Sequence, residues 1–329
     1  MDWKNEKVLI TGAGGFIGSH LAERLVILGA KVKVFIRYNS RNHQGFIEGF
    51  KPQIREKIEI VAGDLRDAQA VKEASKEVDI IFHLGSLISI PYSYLHPSEV
   101  VEANILGTLN VLNAARENKS KRVVHTSTSE VYGTAIYVPI DEKHPLQGQS
   151  PYSASKIGAD MLAESFYRAY DLPVVTVRPF NTYGPRQSAR AVIPTLITQI
   201  IAGKDVYLGS TKPIRDLNYV SDTVEGFIKI AQAPNIEGEV INIGYGKGIS
   251  VGELTDKIIS LIGREVKVIF DASRIRPSKS EVDRLIANNE KAKKLTGWEP
   301  QVSLDEGLRR TVDWISENIA LYKPSVYNV

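Results

Sequence analysis

The feature that most constrains this chain lies near its start. An apolar strand, Val8-Leu9-Ile10, runs into Thr11-Gly12-Ala13-Gly14-Gly15-Phe16-Ile17-Gly18, and helical periodicity follows at once. Each of the glycines at 12, 15 and 18 has a task. Gly12 permits a tight turn out of the strand, Gly15 lets the backbone close on a pyrophosphate, and Gly18 allows the helix to pack on the sheet, so the helix N-terminus faces the anion. A strand, glycine turn and helix in that order commit the chain to a parallel βαβ opening and, in that context, to a dinucleotide. The contacts expected from this segment are Gly12, Gly15, Phe16, Ile17 and Gly18.

The same alternation continues through Lys31 to Ile36, Ile58 to Val61, Asp79 to Leu84, a long helix over about Ser98 to Asn118, Arg122 to Thr126, a helix from Ser153 to Tyr170, and Val174 to Arg178. Repeated βα units with buried strands predict an α/β fold with a doubly wound parallel sheet and helices on both faces. After Arg178 the rhythm breaks at Pro179, Gly184, Pro185, Pro194, Gly203, Gly209 and Pro213, which predicts a smaller C-terminal α/β substrate lobe. The helix near Asp222 to Ala231 and the strand near Val240 to Ile243 are expected to return to the first sheet. The dinucleotide domain would then comprise residues 1–180 plus about 220–243, and the lobe about 181–219 and 244–329. The tail after Tyr322 is expected to be loosely held.

Composition narrows the ligand. With 41 basic and 38 acidic residues the formal charge is only +3, too near balance to point to nucleic acid, and a small anionic ligand accounts better for the excess. Zero cysteines exclude disulfides and thiolate chemistry. The start, Met1-Asp2-Trp3-Lys4-Asn5-Glu6-Lys7, is polar and enters a strand directly, and no apolar run is of spanning length, so a cytoplasmic protein without membrane association is expected. His83 and His125 read as strand-end core residues, and no histidine cluster suggests a metal.

An acidic residue ending the second strand would favour NAD by accepting from the adenosine ribose. Here the chain reads Phe35-Ile36-Arg37-Tyr38-Asn39-Ser40-Arg41, and Arg37, Ser40 and Arg41 without a carboxylate lean toward a 2′-phosphate, that is NADP over NAD. In Gly63-Asp64-Leu65, after the third strand, Asp64 suits the adenine amino group, with Leu65 beside it; capping the next helix is the alternative for Asp64.

Among 14 tyrosines only Tyr152 has a lysine four residues on, Lys156, within Pro151-Tyr152-Ser153-Ala154-Ser155-Lys156 at the start of a predicted helix. That spacing sets an ammonium beside a phenol and predicts a lowered phenol pKa, as base chemistry near neutrality requires. At the carboxyl end of another predicted strand lies His125-Thr126-Ser127-Thr128-Ser129-Glu130-Val131-Tyr132-Gly133. Thr128 can hydrogen-bond a substrate hydroxyl and Glu130 can serve as acid or base on neighbouring carbons. The candidate catalytic set is Thr128, Ser129, Glu130, Tyr152 and Lys156.

Taken together, Gly12/Gly15/Gly18, Thr128, Tyr152 and Lys156 resemble the extended short-chain dehydrogenase/reductase (SDR) family of nucleotide-sugar epimerases, dehydratases and decarboxylases, over nearly the whole chain. The resemblance implies a Rossmann domain, a tightly bound and recycled NAD(P), and a homodimer joined through a four-helix bundle, here by the helices near Ser98 to Asn118 and Ser153 to Tyr170. It also implies substrate contacts. Asn181 and Arg186, in Arg178-Pro179-Phe180-Asn181-Thr182-Tyr183-Gly184-Pro185-Arg186, together with Arg215 and Arg276, match positions that hold the nucleotide diphosphate and ribose.

The triplet Thr128-Ser129-Glu130 resembles that of GDP-mannose 4,6-dehydratases, whereas dTDP-glucose 4,6-dehydratases carry an aspartate where Ser129 stands. Longer stretches narrow the resemblance: Ser89-Ile90-Pro91-Tyr92-Ser93-Tyr94, with Ser89 and Tyr92 as sugar contacts, and Pro185-Arg186-Gln187-Ser188-Ala189-Arg190-Ala191-Val192-Ile193-Pro194. These are similar to N-acetylglucosamine-nucleotide 4,6-dehydratases of legionaminic-acid-type nonulosonic acid and polysaccharide pathways. The implied substrate is UDP- or GDP-linked GlcNAc, oxidised at C4, dehydrated across C5 and C6, and reduced at C6. The alternatives are a UDP-glucuronate decarboxylase, a reductase or epimerase acting on a 5,6-ene sugar of a pseudaminic-type pathway, and a sugar-nucleotide-binding protein without turnover.

Overall fold

The computed structural model describes residues 2–322, so the tail after Tyr322 lies outside the described residues. The first half runs β1 (Lys7–Thr11), α1 (Phe16–Ile27), β2 (Lys31–Arg37), α2 (Pro52–Arg55), β3 (Ile58–Gly63), α3 (Ala68–Ala74), β4 (Ile80–His83), α4 (Ile90–Leu95), α5 (Pro97–Val101), a π-helical turn (Glu102–Leu106), α6 (Gly107–Glu117), β5 (Arg122–Thr126), α7 (Pro151–Tyr170) and β6 (Val174–Pro179). The second half runs β7 (Asn181–Tyr183), α8 (Val192–Ile201), β8 (Val206–Leu208), β9 (Ile214–Tyr219), α9 (Val220–Gln232), β10 (Val240–Ile243), β11 (Gly248–Ser250), α10 (Val251–Ile262), β12 (Val268–Phe270), β13 (Arg284–Leu285), α11 (Glu290–Thr296) and α12 (Leu304–Glu317).

Seven strands form one parallel sheet in the order β10-β6-β5-β4-β1-β2-β3. Period-two alternation decides which face each side chain serves. Val8, Ile10, Val32, Val34, Ile80 and Phe82 point into one core with Leu21 and Leu25 of α1. Leu9, Phe35, Ile81 and Val123 point into the other with Val111 and Leu112 of α6 and Phe166 of α7. The chain passes from β3 across β1 to β4, so strand order reverses between β1 and β4, and a crevice opens at their carboxyl ends.

The remaining strands build the lobe: β9 is flanked by β11 and β13, with β7 alongside, and β8 pairs with β12. No separate core divides the lobe from the first sheet on that side. Leu196, Ile197 and Ile200 of α8, Leu254 and Ile258 of α10, and Leu308 and Ile315 of α12 join the cluster that holds Val8 and Ile10.

Local chemistry explains the elements that carry the site. Helix α7 starts with Pro151 behind a Ser150–Ser153 capping box and stops at Asp171, whose φ of 51° turns the chain left-handed. In place of the uninterrupted helix that periodicity predicts over about 98–118, the segment contains the π turn Glu102–Leu106. There Asn104 is fully buried and clamps Leu87, accepting from its N–H at 2.7 Å and donating to its carbonyl at 2.9 Å. Asp64 is no helix cap: Asp67 caps α3, accepting from the N–H groups of Gln69 and Ala70.

Candidate active site

At the crevice the first glycine turn is shaped by close approach. Gly12 has φ +73°, and a Cβ there would lie 2.8 Å from the Cα of Gly85, which follows β4. A Cβ on Gly18 would lie 2.4 Å from the Gly12 carbonyl oxygen, so α1 can seat on the turn only with glycine there. Within 4 Å, a Cβ on Gly15 would meet only the Gly12 carbonyl oxygen, at 3.3 Å. Packing therefore leaves open the side of Gly15 on which a ligand would rest, above the N-terminus of α1, and this cradle fits the pyrophosphate of a dinucleotide.

The adenosine end is a cleft lined by Phe35, Arg37, Asp64, Leu65, Arg66, Leu87 and Glu99. Both of its arginines are paired. Arg37 lies 3.4 Å from Glu99, and Arg66 donates to Asp64 through Nε at 3.0 Å and Nη2 at 2.7 Å. Arg66 holds the Asp64 carboxyl below the usual range. Ser40 and Arg41 are exposed outside the cleft lining, in a loop folded by Asn39, whose side chain accepts from the N–H groups of Arg41 and His43.

Above the crevice, Thr128 caps the short 3-10 turn Ser129–Tyr132, accepting from the Glu130 N–H at 3.2 Å. Tyr152, on the first turn of α7, is 6% exposed, so its phenol is sheltered where substrate would arrive. Burial pushes the phenol's pKa up, and a hydrogen bond with Thr128 opposes it. This differs from the expectation that Lys156 lowers it: the Lys156 ammonium turns to the end of β5 and donates to the Thr126 carbonyl at 2.6 Å. Burial brings Lys156 itself down to about 8, with Asp160 opposing.

Behind the pair lies a polar assembly that local spacing did not reveal. The carboxylate of Asp160 accepts from His125 Nε2 at 3.0 Å, from Ser127 Oγ at 2.7 Å and from Arg178 at 3.2 and 3.0 Å. Arg178 also donates to the Tyr132 hydroxyl, which donates to Asn242. His83 and His125 are core residues as expected, with rings 5.9 Å apart. Thr11 Oγ accepts from the Gly85 N–H and bonds His83 Nδ1, while His83 Nε2 meets Thr108 Oγ, so the neutral imidazole couples the glycine turn to α6. The only sequence signal was Asp160 itself, eight residues past Tyr152 on the same face of α7.

On the lobe side, Arg215 of β9 and Arg276 converge on Glu130. Arg276 Nη1 lies 4.0 Å from Glu130 and 3.9 Å from Glu281, and Arg215 lies 3.5 Å from Glu281. Glu281 was not singled out by spacing. The buried side-chain amide oxygen of Asn181, on β7, and the buried Arg276 Nη1 have no hydrogen-bond partner, polar groups available to a ligand. Three predicted contacts are committed elsewhere. Ser89 caps α4, accepting from the Tyr92 N–H, and the Tyr92 hydroxyl donates to Glu99 at the adenosine cleft. Arg186 pairs with Glu23 of α1 at 2.7 Å and stacks 5.1 Å from the Phe50 ring. Among the described residues no acidic, histidine or cysteine group suits a metal, and no helix is long and apolar enough to cross a membrane.

Comparison with known proteins agrees with this layout. The family model described as GDP-mannose 4,6 dehydratase matches residues 9–311. A UDP-glucose 4-epimerase from Mycolicibacterium smegmatis is 31% identical over 314 residues, covering 94% of this chain and 98% of that protein. A dTDP-glucose 4,6-dehydratase from Streptomyces venezuelae, solved with NAD and TYD bound, superposes with TM-score 0.85 at 30% identity, covering 97% of this chain and 99% of that one. A UDP-N-acetylglucosamine 4-epimerase from Methanobrevibacter ruminantium, in complex with UDP-N-acetylmuramic acid, gives TM-score 0.86 at 29% identity, covering 95% of this chain and 99% of that one. With its glycine cradle, its Thr128–Tyr152–Lys156 centre and these relatives, the chain belongs to the extended SDR family of NAD-dependent nucleotide-sugar dehydratases and epimerases.

Proposed function

We propose that this enzyme is a nucleotide-sugar 4,6-dehydratase acting on an NDP-linked GlcNAc. The observation that carries the reading is Glu130, a carboxylate close enough to Tyr152 to act on its charge and only 12% exposed. Oxidation at C4 alone needs a base at one carbon, whereas a carboxylate beside the Tyr152 phenol serves a second.

Bound nicotinamide supplies reversible two-electron chemistry at C4 and C6 of the sugar. Thr128 holds the C4 hydroxyl, and Tyr152, acting as its phenolate, takes that proton, with the Lys156 ammonium one helical turn on balancing the charge. Only when C4 is a ketone is the C5 proton acidic enough to remove, and Glu130 then takes it. With Ser129 in place of a second acid, Glu130 returns that proton to the C6 hydroxyl, which departs as water. Arg215 and Arg276 hold the diphosphate, since arginine forks suit phosphate oxygens, and the Asn181 amide oxygen is left to accept from a donor of the nucleotide sugar. The similarity to a UDP-N-acetylglucosamine 4-epimerase supports an N-acetylated hexose. We read the dinucleotide as NAD: of the groups behind the NADP lean, Arg37 is paired with Glu99 while Ser40 and Arg41 lie outside the cleft lining, and a structural relative holds NAD. A homodimer is supported by apolar side chains left exposed on two adjacent helical segments, Val101 and Leu106 on one and Met161 on the other.

The test is incubation without added cofactor with UDP-GlcNAc and GDP-GlcNAc in deuterated water, read by NMR and mass spectrometry. Loss of water with deuterium at C5 of a 4-keto-6-deoxy product supports the dehydratase and names its nucleotide. Inversion at C4 without water loss would make it an epimerase, and turnover of neither would redirect the search to UDP-glucuronate and 5,6-ene sugars.

A further inference from the structure

We propose that Asp160 is a positioning residue for the Tyr152–Lys156 pair, holding the end of β5 against α7 and supplying the fixed negative charge behind Lys156. The inference rests on the proposed C4 oxidation. Tyr152, Lys156 and Asp160 follow one another at four-residue spacing on one face of α7. Consecutive turns of that helix grip consecutive residues of one segment. Lys156 donates to the Thr126 carbonyl at 2.6 Å, and Asp160 accepts from the side chains of His125 and Ser127 at 3.0 and 2.7 Å. The next residue is Thr128, which lies close enough to Tyr152 to lower the phenol's pKa. Asp160 thus fixes the segment that aims Thr128 at the phenol.

The carboxylate is 3% exposed and belongs to no substrate contact, so a structural role alone is the competing reading. Charge separates the two. Facing Lys156 and its partners are His83 from β4, His125 from β5, Glu130 from the turn after it, Tyr152 and Asp160 from α7, and Arg178 from β6, which meets Asp160 on β6's side. Burial pushes His83 and His125 toward neutrality, and Asp160 is the anion acting on the ammonium. Burial also works against ionisation of Asp160, but His125, Arg178 and Ser127 keep it charged.

Tyr152 and Lys156 both feel the Asp160 charge, which raises each of them. Removing the negative charge behind them therefore moves the pair's apparent pKa down, by about one pH unit for a buried charge one helical turn away. The experiment follows the absorbance of reduced nicotinamide in single turnover with a nucleotide hexose, from pH 5.5 to 9.5, for wild type, Asp160→Asn and Arg178→Met. A double variant, Asp160→Asn with Arg178→Met, removes the buried guanidinium that Asp160→Asn alone would leave unpaired and serves if Asp160→Asn does not fold. The expected result is a limb moved to lower pH in every folded variant lacking the Asp160 charge, and not in Arg178→Met. Slower turnover with the limb in place would overturn the proposal, leaving Asp160 as a structural ion-pair partner whose charge Arg178 has cancelled. If wild type reduces no cofactor with any nucleotide hexose, C4 oxidation has failed and the positioning role fails with it.

Discussion

The guanidinium of Arg276 stands 4.0 Å from the Glu130 carboxylate and 3.9 Å from that of Glu281, at hydrogen-bonding distance from neither. One cation shared between two carboxylates is held loosely. A diphosphate offers it short, bidentate contacts that neither acid provides here.

Arg276→Ala should therefore act on binding before chemistry. Loss of a charge-assisted contact is worth about 1.5–3 kcal/mol, which raises KM by roughly 10- to 100-fold. Steady-state kinetics should show kcat falling less than kcat/KM; an unchanged KM would remove Arg276 from the diphosphate site.

Glu130→Gln should divide the reaction. Cofactor reduction should persist, because Thr128, Tyr152 and Lys156 are untouched, while water loss falls by about 10²- to 10⁴-fold, the usual contribution of a positioned acid–base group. Absorbance of reduced nicotinamide and deuterium incorporation at C5 read the two halves separately.

The bound dinucleotide released by denaturing the purified protein should be NAD by mass spectrometry. Glu99→Ala, which frees Arg37 in the cleft, should raise the NADP share. An equal share in wild type and variant would show that Arg37 does not read the ribose.

Acid should unfold the protein early. Burial, aided by Arg186, holds His20 down to about 4, and burial keeps His83 and His125 low as well. Between pH 6.5 and pH 4 the unfolded chain gains a proton at His20 that the folded chain refuses, so stability falls as pH falls. His20 alone accounts for on the order of 3 kcal/mol across that window, and His20→Gln should flatten the decline in Tm.

Leu106→Glu combined with Met161→Lys should yield a monomer by light scattering if those faces meet a second copy. The two side chains are 40% and 44% exposed in the isolated chain, so the change should cost the monomer little stability. An unaltered dimer would place the interface elsewhere.

What could be read from the sequence was what local spacing encodes. The glycine turn, the helix behind it and the Tyr152–Lys156 pair each lie within one stretch of chain, where backbone geometry turns sequence distance into spatial distance. Asp160 was invisible as a hub because its partners His125, Ser127 and Arg178 arrive from two strands whose adjacency is a property of the sheet. Glu281 meets Arg215 from 66 residues away in the chain, a contact that the folding of the lobe makes and no local spacing shows. Ser89, Tyr92 and Arg186 matched a pattern of residue types, yet their side chains are occupied by a helix N-terminus, Glu99 and Glu23. Asp64 failed as a cap because Arg66, two residues on, draws its carboxylate away and leaves the helix to Asp67.

The uninterrupted apolar cluster from β1 to α12 bears on how such enzymes can be recombined. A chimera carrying a relative's whole lobe would have to match Leu196, Ile200, Leu254, Ile258 and Leu308 against the sheet and α1 all at once, because close-packed interiors do not absorb volume mismatch cheaply. Grafts confined to the loop around Arg276, which adds no buried side chain to that cluster, carry no such constraint. Exchange of substrate preference within this scaffold should therefore proceed through loop grafts, with the helices of the lobe inherited together with the sheet they pack on.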